Sequence, residues 1–190
     1  MTLAFPPGSI GAEKSGSIYL TGKFLVAKPK MADPRFVESV IYMVKHDSEG
    51  AMGLIVNRPI GSGPMASFLE GFEIEAQGVS GEARLNYGGP VNTGSLLVLH
   101  SDDYEGPGTT FLGGHLALTV RSSVLKAIAR GAGPKDHLFV FGYAGWGAGQ
   151  LESEMARDDW TTAPADKALI FTDDPDKTWE KATGRSGLPL

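Results

Sequence analysis

The side chains most able to do acid, base or metal chemistry near neutral pH are four histidines, His46, His100, His115 and His137, and no cysteine accompanies them. They stand far apart in sequence, without the short repeats that set two zinc ligands on one helix or one turn. The lack of cysteine removes disulfides, thiolate nucleophiles, iron–sulfur clusters and cysteine-type zinc sites together. The chain also contains no GxxxxGK[ST] phosphate loop, no GxSxG nucleophile elbow and no HExxH helix. The reading therefore assigns no metal and no cofactor. It matches no nucleophile with a base, and leaves open whether the protein is an enzyme.

Binding chemistry is better represented. Phe141 runs into Gly142-Tyr143-Ala144-Gly145-Trp146-Gly147-Ala148-Gly149-Gln150 and then into a helical stretch over 151–155. Such a strand, glycine turn and helix aims free backbone N–H groups at anions. Here Glu152 and Glu154 already complement the early helix and would repel a phosphate. The GxG at Gly145 and Gly147 also lacks the third glycine of a dinucleotide fingerprint. Trp146 offers a flat apolar wall, and Gln150 shares a helix face with Glu154, which suits a pocket for a neutral or cationic small molecule. The alternative is that Trp146 plugs the core, because an indole buries so much area. Asn57-Arg58 reads likewise in two ways: Arg58 either clamps a carboxylate or phosphate, or pairs with a structural acid such as Asp33. Tyr87-Gly88-Gly89-Pro90 marks either a tight turn or a close approach of another backbone or a ligand. The candidate binding residues are thus Asn57, Arg58, Tyr87, Gly88, Gly89, Tyr143, Trp146 and Gln150. They are expected to converge on one cleft where buried strands end.

The elements that must position these residues are mostly short strands. Residues 24–27, 39–44 and 52–56 are apolar, β-branched or aromatic, and bounded by turn formers. The second and third are joined by His46-Asp47-Ser48-Glu49-Gly50, which predicts an antiparallel hairpin. Asp33-Pro34-Arg35-Phe36 carries the N-cap and first-position proline of one helical turn. Pro59, which has no N–H to give, is expected to end the ladder, followed by a glycine-rich loop over 60–64 and a short helix over 65–72. Residues 73–84 read as an exposed excursion. Strands follow at 85–91 and 95–100, then two edge strands within 110–120 around a bend at Gly113-Gly114. A helix from Ser122 or Ser123 to about Arg130 stops at Gly131, Gly133 and Pro134. Residues 137–141 are apolar enough for the middle of a sheet. A strand at 168–171 and a helix led by Pro175 close the chain. Strands mixed with a few helices indicate an α+β fold with one curled, mixed sheet.

At 190 residues the chain is long enough to bury about 70% of its unfolded surface as one domain. Residues 18–190 are read as that domain, and residues 1–17, rich in Pro, Ser and Gly, as a flexible N-terminal arm. The arm lacks the basic start and apolar core of a signal peptide, and no run approaches a membrane span, so a cytoplasmic protein is expected, with no membrane partner. Seventeen basic residues against twenty-two acidic ones give a net charge of −5. That balance counts against a DNA reader, whose affinity comes largely from cations on phosphates. The best basic patch, Arg121, Lys126, Arg130 and Lys135, reads as a solvated helix face. Its helix is followed by a strand rather than by a second, recognition helix.

Several segments, taken in order, resemble the AlgH/YqgE family of bacterial proteins. They are Gly22-Lys23-Phe24-Leu25-Val26-Ala27, Met31-Ala32-Asp33-Pro34-Arg35-Phe36, Gly50-Ala51-Met52-Gly53-Leu54-Ile55-Val56-Asn57-Arg58-Pro59, Tyr87-Gly88-Gly89-Pro90-Val91 and the run from Gly142 to Glu152. The resemblance implies a bacterial, cytoplasmic α+β domain with a bifurcated mixed sheet curled into a pseudo-barrel with flanking helices. Members are often described as transcriptional regulators, one having been linked genetically to alginate production. The family brings no shared catalytic residues. Three functions follow in order: an indirect regulator acting through a small-molecule ligand or protein partner, an enzyme of unknown reaction, and a direct DNA-binding protein.

Overall fold

A computed structural model of the chain describes residues 19–187. The expected N-terminal arm lies outside the described residues. Ten strands form one branched sheet: β1 (Lys23–Ala27), β2 (Val40–Asp47), β3 (Gly50–Ile55), β4 (Pro59–Pro64), β5 (Glu82–Tyr87), β6 (Val91–Ser101), β7 (Thr109–Gly113), β8 (Leu116–Thr119), β9 (His137–Gly147) and β10 (Trp160–Pro164). The main path runs β10-β1-β2-β3-β9-β6-β8-β7, and β5, carrying β4, branches from β9. Every pairing is antiparallel except β5 with β9. The helices are short: α1 (Met65–Glu70), α2 (Ser123–Ala129), α3 (Gln150–Ala156), α4 (Lys167–Ile170) and α5 (Thr178–Thr183), the last preceded by a 3-10 turn at Pro175–Lys177. None is long and apolar enough to cross a membrane.

Both faces of β1, β2 and β8 are buried, which explains why these strands read as continuous apolar runs rather than alternating ones. Along β2, Val40, Tyr42 and Val44 face the inside of the curl, where they meet Phe24, Leu54, Leu99, Leu118 and Val140. Ile41 and Met43 face outward, into a cluster with Leu25, Ile55, Trp146, Leu151 and Trp160 under α3. The other outer face packs Val98, Phe139 and Ala83 against α1 and α2. Tyr42, sealed in the inner core, has its phenol pushed up to about 12 by desolvation. The outward residues of β9 change parity, from Phe139 to Ala144 and Trp146, across Gly142. Gly142 has φ +74° and lies beside a register shift between β6 and β9, so a glycine-borne irregularity lets one strand serve both lobes.

The expected hairpin forms, pairing Ile41 with Ile55, Tyr42 with Leu54 and Asp47 with Gly50. Its strands run further than the sequence indicated, leaving only Ser48 and Glu49 as the turn. Several other expectations are corrected. Residues 142–147 continue β9 instead of turning, because β3 pairs with them: Gly50 lies opposite Gly147 and Met52 opposite Gly145, and a Cβ at Gly50 would run into the Trp146 carbonyl oxygen. Residues 60–64 are strand, not loop, and Pro59 opens β4 rather than closing β3; proline is tolerated because β4 pairs on one side only. Residues 168–171 were read as a strand, but α4 forms there because the Asp166 carboxylate caps it, accepting the Ala168 N–H at 2.8 Å. Residues 34–38 make a hydrogen-bonded turn, with the Asp33 carboxylate accepting the Arg35 N–H at 3.0 Å, and no helical turn follows. Of the strands within 110–120, only β7 is at the edge, since β8 lies between β6 and β7.

Candidate functional site

Three glycine-bearing segments meet where β5 branches from β9. The Gly88 N–H donates to the Phe141 carbonyl at 2.8 Å, the Ile55 N–H to the Gly88 carbonyl at 3.0 Å, and the Tyr87 N–H to the Arg58 carbonyl at 2.9 Å. The convergence is of backbone on backbone. A Cβ at Gly88 would run into the Gly142 carbonyl oxygen, one at Gly89 into the Tyr143 carbonyl carbon, and one at Gly142 would sit 2.6 Å from the Gly89 oxygen. Glycine is needed here for close packing, and the space a ligand would take is filled by the neighbouring strand.

The polar candidates are engaged internally. Asn57 accepts the Val40 N–H at 2.8 Å and donates to the Glu38 carbonyl at 2.9 Å. Arg58 does not pair with Asp33; its guanidinium donates to the Arg35 and Val37 carbonyls, while Asp33 pairs with Arg35. Together Asn57 and Arg58 latch the 34–38 turn onto the sheet. They hold in place Glu38, whose φ of +56° is unusual for a residue with a side chain. Tyr87 and Tyr143 are half-buried, each against a core cluster.

Trp146 and Gln150 lie further along, against α3. Trp146 is 7% exposed and stacks on Phe36, with ring centroids 6.4 Å apart. Its indole N–H donates to Glu154 Oε2 at 2.8 Å, and the indole of Trp160 donates to the same oxygen at 2.9 Å. Gln150 Nε2 donates to the other carboxylate oxygen at 3.0 Å, and its carbonyl accepts the Gly147 N–H at 3.1 Å. Glu154 is therefore a shared acceptor that ties two buried indoles and the α3 entry together. Sequence reasoning missed Trp160, whose neighbours give no apolar period.

Open space lies elsewhere. A cavity of about 270 Å³ sits between the β4–β5 branch and the segment after α4, lined by Val56, Pro59, Leu138 and Ile170 with Ser62, Arg84, Asn86 and Asp173. None of the eight sequence candidates lines it. Arg84 and Asn86 share one face of β5, opposite the face that packs Ala83 and Leu85 on the outer cluster. Arg84 Nη1 donates to the Thr172 carbonyl at 2.9 Å and to Asp173 at 2.8 Å. Asn86 is 3% exposed, and its Nδ2 donates to the Val56 carbonyl at 2.8 Å. Asn86 Oδ1 accepts from no donor among the described residues but is not sealed from solvent; the buried side-chain oxygens without a partner there are those of Ser39, Thr178 and Thr183. The one signal for it in the sequence is a polar residue between Leu85 and Tyr87 in a strand. A second hollow, about 440 Å³, lies between α2 and the 73–77 segment, with Lys126 and Arg130 facing Glu73 and Glu75.

The histidines stand apart from both hollows' walls. His100 is fully buried: Nδ1–H donates to the Ser101 carbonyl at 2.7 Å, so Nε2 accepts from the Thr119 hydroxyl at 2.8 Å. Thr119 in turn accepts from Thr109 at 2.7 Å, and Thr109 from the Gly106 N–H at 3.2 Å. Burial holds His100 and His137 below the usual histidine range and so keeps them neutral. His46 accepts the Leu20 N–H on Nδ1 at 3.1 Å, leaving Nε2–H to donate to Glu152 at 3.0 Å. The Glu152 carboxyl is held below its usual range by its own backbone N–H and by His46. Among the described residues no three His, Asp or Glu side chains are grouped to hold a metal ion.

These features define a class first: an α+β half-barrel in which a mixed, branched sheet curls around its own core. The chain belongs to the AlgH-like family, whose family model matches residues 24–190. It is 53% identical over 170 residues to a UPF0301 protein of Methylococcus capsulatus, covering 90% of this chain and 93% of that one. It is 42% identical to a UPF0301 protein of Rhodospirillum rubrum, covering 90% and 88%. The solution structure of AlgH from Pseudomonas aeruginosa superposes with a TM-score of 0.74 at 40% identity, covering 94% of each chain. A crystal structure of a Corynebacterium diphtheriae protein, at 23% identity and TM-score 0.70, shares the fold.

Proposed function

We propose that this chain is a cytoplasmic binding module that exerts any regulatory effect indirectly, through a small-molecule ligand or a protein partner, and that the ligand site is the cavity beside β5. The observation that carries this reading is the hollow itself, in which Arg84 and Asn86 stand on one face of β5 among apolar walls, Asn86 being fixed through its nitrogen while its oxygen accepts from no described residue. A ligand donor on Asn86 Oδ1 would exchange a water for a protein–ligand hydrogen bond, a net gain of about 0.5–1.5 kcal/mol. The groups around the cavity bind rather than react. Arg84 and Asn86 offer hydrogen bonds rather than a nucleophile, and the Asp173 carboxylate of the lining is engaged by Arg84. The six candidates at the strand junction, and Trp146 and Gln150 against α3, take a positioning role in this proposal, since Asn57, Arg58 and Gln150 are already committed to internal partners. A direct DNA-binding role is disfavoured: Lys126 and Arg130 of the basic helix face Glu73 and Glu75, and α2 leads to β9 rather than to a recognition helix.

A thermal-shift screen of small metabolites tests the reading, run on the wild type and on Ser62→Trp. Ser62 is exposed and pairs with Arg84 across the β4–β5 ladder, so a bulky side chain there projects over the cavity. A compound at a hundred times its Kd stabilises by about 2.7 kcal/mol. For a chain of this size that raises Tm by about 5–10 °C. The expected result is stabilisation of the wild type that Ser62→Trp loses. Equal stabilisation of both proteins, or none of either, refutes the site. Submicromolar, sequence-selective binding to promoter DNA at physiological salt would return the direct-reader hypothesis to first place.

A further inference from the structure

Taking the cavity beside β5 as the ligand site, we infer that it accepts a small organic acid carrying a hydroxyl or N–H donor, whose carboxylate replaces that of Asp173 on Arg84 while its donor reaches Asn86 Oδ1. Arg84 and Asp173 are the charged side chains of the lining. Their ion pair is lopsided: the Arg84 side chain is 36% exposed and the Asp173 side chain 99% exposed. A carboxylate so fully in water holds its partner weakly and leaves it readily. Arg84 does not depend on Asp173 for its position, because the Thr172 carbonyl holds Nη1 at 2.9 Å and the Phe171 carbonyl lies 3.5 Å from Nη2. Removing Asp173 from the pair therefore leaves a fixed guanidinium, its remaining N–H groups free, at the rim of a hollow whose other walls are Val56, Pro59, Leu138, Ile170 and Pro175. A planar cation of this kind matches a carboxylate by two parallel hydrogen bonds.

The spacing and size narrow the class. Arg84 and Asn86 are two residues apart on one face of a strand, so the anion and the donor should stand about 7 Å apart. A cavity of about 270 Å³ corresponds to the liquid volume of about nine waters, that is, a molecule of about ten heavy atoms. Phosphate monoesters of this size carry a second charge for which the lining has no second cation.

The probes are 4-hydroxybenzoate and 6-hydroxyhexanoate, each with its neutral amide, and benzoate as the control without a donor. Binding is followed by the NMR signals of the Arg84 Nε–H and the Asn86 side-chain amide in the wild type, Asp173→Asn and Arg84→Met. We expect saturable shifts with at least one hydroxy acid, at least tenfold weaker binding of its amide and of benzoate, and several-fold tighter binding of the acid to Asp173→Asn. Asp173 is solvent-exposed, so that variant folds even where Arg84→Met does not. If the amides bind as tightly as the acids, or Asp173→Asn leaves the acids unchanged, the anion assignment is overturned while the cavity reading survives. If no probe shifts either signal but the screen yields compounds blocked by Ser62→Trp, the ligand class is wrong and the site is right. If neither experiment gives binding, both are wrong.

Discussion

Replacing Glu154 by alanine removes the one oxygen that receives two indole N–H groups. Trp146 and Trp160 are 7% and 2% exposed, and both donate to Glu154 Oε2, at 2.8 and 2.9 Å. Each donor left buried and unsatisfied costs about 1–3 kcal/mol, which for two gives an upper range of about 6 kcal/mol. Glu154 itself is half-buried, so water can enter beside it and replace part of the loss. A destabilisation of about 2–4 kcal/mol is therefore expected, or a Tm lowered by about 4–16 °C. Glu154→Gln keeps a carbonyl oxygen for the indoles but turns an N–H toward Gln150 Nε2, so it should fall between the wild type and alanine. Urea denaturation followed by tryptophan fluorescence reads both the midpoint and the polarity around the indoles. Glu154→Ala costing less than about 1 kcal/mol, with unchanged emission, would show that the carboxylate is not their shared acceptor and would reopen Trp146 as a binding wall.

Two further expectations concern the strand junction and the buried histidines. Gly89→Ala, at φ +147° and with its new Cβ inside contact distance of the β9 backbone, should cost about 2–6 kcal/mol from strain and overpacking together. Gly94→Ala, where a Cβ meets open space, should be near neutral, and urea midpoints that rank the two alike would refute the close-packing argument. His100 and His137 are held below the histidine value by burial, so the unfolded chain binds protons before the folded one does. Their contribution to stability is complete above the unfolded value near pH 6.5 and is lost as pH falls toward the folded values, at up to about 1.4 kcal/mol per pH unit for each. Asp33, Asp103 and Asp166, whose carboxyls are held low, lose theirs only below about pH 4. Urea midpoints that stay level from pH 6.5 to 5 would contradict the neutral, buried assignment.

The sequence alone determined what is local or periodic. The 40–55 hairpin follows from two β-rich runs and a five-residue polar link, and α2 from serines before an apolar stripe with glycines and proline after it. The central place of β9 follows from its unbroken apolar start, and the mixed, curled sheet from the alternation of short strands with a few helices. Where local preference and tertiary pairing disagree, the sequence misled. Glycines at 142–147 signal a turn in isolation, yet they continue a strand because β3 and β6 pair with it, and at Gly142 the Gly89 carbonyl takes the space a side chain would fill. Residues 168–171 are apolar enough for a strand, and a single carboxylate cap at Asp166 decides for helix.

The candidate site shows the same division. That Asn57, Arg58, Tyr87, Gly88, Gly89 and Tyr143 gather in one place was legible, since each ends or crosses a buried run. That they gather to pack, and not to enclose a ligand, depends on which backbone lies against which. Arg84 and Asp173 are 89 positions apart, and nothing in either neighbourhood announces the other. Their meeting, and the hollow beside Asn86, arise only because β5 leaves the main sheet at β9 and the segment after α4 folds back over it. Residue types and spacings specify which groups can bond. Only the curled sheet specifies which of them are used up in holding it together and which, Arg84 and Asn86 among them, are brought to the wall of a hollow.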